Sequence, residues 1–112
     1  EPALEIVYRD RSRSGALEDF IRQQADGLAR ECHELCGCRV TLEHPRGGCR
    51  VRLEMLTSPG EQLTAERCPG EDGVLEQDLD RLFADARQQL CAASARYQSV
   101  ARERRMALQT AL

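Results

Sequence analysis

Two short stretches flanking Pro45-Arg46-Gly47-Gly48 alternate apolar and polar residues one by one. Cys38, Val40 and Leu42 stand against Arg39, Thr41 and Glu43, and then Val51, Leu53 and Met55 against Arg50, Arg52 and Glu54. A period of two belongs to a strand with one face buried and the other wet, and a Pro/Gly turn between two such strands makes an antiparallel hairpin. The consequence reaches the whole chain. With one face of the sheet charged, every helix has to pack on the other.

The remaining elements fit around that hairpin. Residues 3–9 are rich in strand formers, with Leu4, Ile6 and Tyr8 on one face. Ser14 suits a helix N-cap, Glu18 and Asp19 suit the positive end of the helix dipole, and Leu17, Phe20, Ile21, Leu28 and Leu35 recur at helical spacing. A first helix is therefore predicted over 15–34, stopped by Gly37. Ser58-Pro59-Gly60 reverses the chain into a fourth strand with Leu63 and Ala65 inward, and Pro69-Gly70 closes the sheet. Leu75, Leu79, Leu82, Phe83, Ala86, Leu90 and Tyr97 then trace a second apolar stripe into the late nineties. A strand–helix–strand start gives a parallel crossover and the two short turns give hairpins, so the sheet is mixed. The predicted class is α+β, with order β-α-β-β-β-α and two helices on one face of a four-stranded mixed sheet. The domain spans 1–98, and 99–112 form a helical extension or a disordered tail.

A chain of 112 residues holds one core. With 41% hydrophobic residues and no Trp, that core is built from Leu, Val, Ala and Cys. No apolar run approaches the roughly 18–20 residues of a membrane helix, and the start does not look like a signal peptide, so a cytoplasmic protein without a membrane partner is expected. The formal charge of −3 draws no polyanion to the molecule as a whole, and any nucleic-acid contact has to come from a local patch.

The sequence offers no catalytic constellation. His33 and His44 have no partner in a nucleophile setting, and no glycine-rich phosphate loop is present, so no enzyme, cofactor or small-molecule substrate is expected. Cys32, Cys36 and Cys38, with His33 among them and Cys49 across the hairpin, are the metal or redox candidates, although their spacing matches no standard zinc site. In the plainer reading they are reduced thiols: Cys38 fills the core, Cys91 packs along the second helix, and the rest are semi-exposed. Arg9, Arg11 and Arg13 bracket the loop before the first helix, where guanidinium and free backbone N–H groups suit phosphate, or where a solvated loop is partly neutralised by Asp10. Arg39, Arg50 and Arg52 lie among Glu43, Glu54 and Glu66, a mixture that predicts cross-strand ion pairs.

Several segments resemble one family, the ribosome hibernation promoting factors and ribosome-associated inhibitors. They are Ser14-Gly15-Ala16-Leu17-Glu18, the run from Cys38 to Pro45, Val51-Arg52-Leu53-Glu54-Met55, Pro59-Gly60, Glu66-Arg67-Cys68-Pro69-Gly70, and Leu79-x3-Phe83-x2-Ala86-Arg87-x-Gln89-Leu90. The resemblance spans about residues 4 to 97 and, with this length, points to the short form without a dimerisation domain, monomeric when free. It implies a fold akin to double-stranded-RNA-binding domains. It also implies a translation inhibitor that binds small-subunit rRNA in the mRNA and tRNA channel during stress or stationary phase, by occlusion rather than catalysis. By the same resemblance the rRNA contacts fall to Arg9, Arg11, Arg13, Arg22, Arg30, Arg81 and Arg87. Positions often basic in the family are here Gln24, Gly27, Asp85, Gln88 and Ala92, and Glu76 is near the place of a common aromatic. That motivates an alternative: a diverged member acting as a protein-interaction or thiol-redox or metal-responsive module without ribosome binding.

Overall fold

The computed structural model describes residues 3–9, 13–44, 50–69 and 76–111. The chain runs β1 (Ala3–Arg9), α1 (Gly15–Glu31), β2 (Leu35–Glu43), β3 (Arg50–Thr57), β4 (Gln62–Arg67) and α2 (Glu76–Ala111), in the predicted order. The strands lie side by side as β1-β2-β3-β4; β1 is parallel to β2 and the other pairs are antiparallel.

Register carries the binary pattern across the sheet. Ile6 stands beside Val40, Val40 beside Leu53, and Leu53 beside Ala65, so the apolar alternates form one continuous face. Val40, Leu42, Val51 and Leu53 are fully buried there. Against that face α1 brings Ile21, Ala25 and Leu28, while α2 brings Leu79, Leu82, Phe83, Ala86, Leu90 and Ala93. Each large side chain so removed from water contributes about 1.5–3 kcal/mol. Helix α1 lies over β1 and β2, and α2 over β3 and β4.

Local chemistry sets the boundaries. Ser14, extended at φ −131°, accepts the Leu17 N–H through its hydroxyl at 3.4 Å and opens α1. The Tyr8 hydroxyl donates to the Ser14 carbonyl at 3.4 Å, tying the end of β1 to that cap. At the β3–β4 turn Gly60 takes φ 95°, a left-handed conformation that side-chain-bearing residues resist, and its N–H bonds the Thr57 carbonyl at 2.8 Å.

Two boundaries differ from expectation. Helix α1 ends at Glu31, because Cys32 turns extended and Leu35, 5% exposed, reaches the core as the first residue of β2. Gly37 is a strand residue beside a register shift, where a Cβ would approach the Ala3 carbonyl oxygen to 3.5 Å. Helix α2 does not end in the late nineties. Its 36 residues contain neither Gly nor Pro, and strong helix formers carry it to Ala111 after the last half-buried side chain, Tyr97. Residues 99–111 are helical, and the long axis of the molecule reaches 61 Å. The 45–48 turn, Cys49, Gly70 and Leu75 lie outside the described residues.

Candidate RNA-contact surface

The charged sheet face neutralises itself. Arg39 bonds Glu5 at 3.1 Å and approaches Glu54 at 4.0 Å; Arg52 bonds Glu66 at 3.2 Å; and Arg50 approaches Glu43 at 3.9 Å. Arg50 Nε also lies 3.3 Å from Glu66 Oε1 but is misaligned for a hydrogen bond. Glu5 apart, which the sequence pattern does not single out, these are the predicted cross-strand ion pairs, and they leave no one-signed platform.

The arginines expected to meet rRNA are on the opposite side and at one end. Arg9 is exposed at the end of β1, Arg22 and Arg30 are exposed on α1, and Arg81 is exposed on α2; none of the four makes an ion pair among the described residues. Arg13 is exposed but bonds Glu18 at 2.9 Å, within the first turn of α1. Arg87 bonds Glu31 at 2.6 Å and ties α2 to the last residue of α1. Arg11 lies outside the described residues.

These cations do not form an unbroken stripe. On α1, Asp19 and Asp26 stand three or four residues from Arg22 and Arg30, hence on the same exposed side. Arg81 has Asp78 and Asp85 at those spacings, and Asp85 also accepts a 3.4 Å bond from Gln89.

The thiols are dispersed as well. Cys38 is buried, and burial pushes its thiol up to about 11, whereas Cys36 is exposed and donates weakly to the Glu34 carbonyl at 3.7 Å. Cys32 is buried, its thiol raised first by burial, and it donates to Glu34 Oε2 at 3.4 Å. That acid is held below its usual range, first by a hydrogen bond to its own backbone and then by the Cys32 and Ser94 side chains, with Ser94 Oγ at 3.0 Å. The candidate set Cys32, Cys36 and Cys38 is therefore split between core and surface, and no metal-holding group of three or more Cys, His, Asp or Glu occurs among the described residues. Two expectations for the cysteines are corrected: Cys91 is exposed rather than packed, and Cys32 is buried rather than semi-exposed. Cys32 is drawn in because α1 stops one residue before it and turns it inward. Both thiols line one cleft of about 230 Å³ between the helices, together with Leu28 and Leu90.

The arginines at the end of α2 are not among the contacts that the sequence suggests. Arg102, Arg104 and Arg105 all stand on fully exposed helix beyond the domain. The absence of Gly and Pro from 76–111 was the available signal.

No family model matches the chain, and no curated protein matches it. Solved structures do. A ribosomal subunit interface protein from Coxiella burnetii superposes with a TM-score of 0.68 at 18% identity, over 83% of this chain and 98% of that one. The N-terminal domain of Protein Y from Thermus thermophilus gives 0.64 at 20% identity, over 80% and 96%. Over most of its length the chain thus has the fold of these two structures.

Proposed function

We propose that the protein is a ribosome-associated translation inhibitor of the hibernation type, which seats on small-subunit rRNA in the mRNA and tRNA channel and acts by occlusion, without catalysis, in the cytoplasm. The observation that carries this reading is the near full-length match to a ribosomal subunit interface protein, 98% of whose chain is covered. Arg9, Arg22, Arg30 and Arg81 are accessible cations for phosphate, and Arg11 completes the loop set. Arg13 and Arg87 have to exchange Glu18 and Glu31 for phosphate. Exposed ion pairs of this kind hold only about 0–1 kcal/mol, so the exchange is cheap. Asp19, Asp26 and Asp85 lower the local potential, which makes the affinity modest, while the arginine–phosphate contacts make it salt-dependent. Those acids also favour a second reading, a relative that keeps the fold and meets a protein instead.

Sedimentation separates the two. With small subunits in excess at low salt, the protein should move down a sucrose gradient with them and be released as salt rises. Protein that stays at the top overturns the ribosomal reading.

A further inference from the structure

Beyond Tyr97 helix α2 leaves the domain and continues to Ala111 as a single rod, with every described side chain from Gln98 onward exposed. At about 1.5 Å per residue this overhang projects roughly 20 Å. Its charge is unlike that of the rest of the molecule. The chain as a whole carries −3, yet Glu103 is the sole acid in 98–112, alongside Arg102, Arg104 and Arg105. None of those arginines makes an ion pair among the described residues, whereas Arg96, just inside the domain, is held by Glu61 at 2.9 Å.

Helical geometry sharpens the asymmetry. At about 100° per residue the three guanidinium groups fall within one half of the helix circumference, and Glu103 takes the middle of the other half. A projecting half-cylinder of arginine, with forked donors and weak hydration, matches a row of phosphates. An apolar partner fits it poorly. Val100 and Leu108, 45% and 67% exposed, continue the stripe that packs on the sheet, but Arg104 stands midway between them and divides it.

We propose that the overhanging end of α2 is an RNA-binding arm that grips the phosphate backbone through Arg102, Arg104 and Arg105. The proposal rests on the ribosomal reading only for the source of that RNA. It adds a contact outside the folded domain, and it explains how a domain with interleaved acids gains affinity.

The test compares the intact chain with the R102A/R104A/R105A variant, whose changed side chains touch nothing in the domain, with circular dichroism confirming an intact helix. Fluorescence anisotropy on a labelled RNA duplex across a salt series should show affinity falling about tenfold or more in the variant, and the log–log salt slope shrinking by about 2–3. Equal affinity and slope, no binding by either protein, or equal binding of the intact chain to polyglutamate overturns the arm. Co-sedimentation with small subunits keeps the two ideas apart. If both proteins co-sediment equally the inhibitor reading stands and the arm falls; if only duplex binding is seen, and the variant loses it, the arm stands and the ribosomal reading falls.

Discussion

The Tyr97 hydroxyl donates a 2.6 Å hydrogen bond to the Glu61 carboxylate, linking the last half-buried residue of α2 to the turn between β3 and β4. The same hydroxyl lies 2.9 Å from Thr57 Oγ1, and Arg96 closes on Glu61 at 2.9 Å. This junction marks where helix packed on the domain gives way to helix in solvent.

The junction has a pH signature. The Tyr97 hydrogen bond, ahead of the Arg96 charge, holds the Glu61 carboxyl below its usual range, so its contribution is present above the ordinary carboxylate pKa and is lost as pH falls through the lowered value. Tyr97 is raised, first by its bond to Glu61, so its contribution is present below the ordinary phenol pKa and is lost as pH rises through the raised value. Tyr97→Phe should therefore lower the melting temperature at neutral pH and remove part of the loss seen on acidification. Thermal melts from pH 7 to pH 3 check this, and parallel curves for the two proteins would exclude the link.

Phe83 is fully buried where α2 crosses the sheet. Its truncation to Ala removes a ring and leaves a cavity in the core, which costs about 3–5 kcal/mol. Urea unfolding of Phe83→Ala should show a lower midpoint with an unchanged slope. A cost under about 1 kcal/mol would mean that α2 is not docked as described.

Alternation decided most of the fold in advance. Val40, Leu42, Val51 and Leu53 fix which sheet face is dry, and that fact alone puts both helices together. At Leu35 two signals compete. Leu35 fits both the helical stripe of α1 and the start of a strand, and the core accepts it from the strand, so Gly37 is not a helix stop. Past Tyr97 no buried stripe remains to be detected, and intrinsic propensity, a weak guide on its own, carries the helix to Ala111. The helix arginines were legible as surface residues, but the ion pair that joins the two helices was not. Glu31 and Arg87 are 56 residues apart in sequence.

That pair makes a prediction of its own. Glu31 holds Arg87 by an ion pair whose side chains are 55% and 41% exposed, so Glu31→Gln should change stability by less than about 1 kcal/mol. If Arg87 is an rRNA contact, the same change releases it and removes an acid from the surface, so small-subunit affinity at fixed salt should rise severalfold. Asp26→Asn, between Arg22 and Arg30 on α1, should act in the same direction. Sedimentation binding curves check both, and unchanged or weaker binding would take Arg87 and α1 out of the contact surface.

The five described thiols should react in two classes. Cys36, Cys68 and Cys91 are exposed, whereas Cys32 and Cys38 are buried and their thiols are raised, that of Cys38 to about 11. Since the thiolate is the reacting form, burial slows Cys32 and Cys38 twice, by access and by ionisation. At pH 8 a disulfide reagent should label the exposed three within seconds to minutes. The buried pair should wait for local or global opening, so their labelling rate should follow denaturant concentration. Peptide mapping of the early product identifies the sites. Early labelling of Cys38 would contradict its place on the dry face of β2 between Leu4 and Met55, the register on which the whole sheet depends.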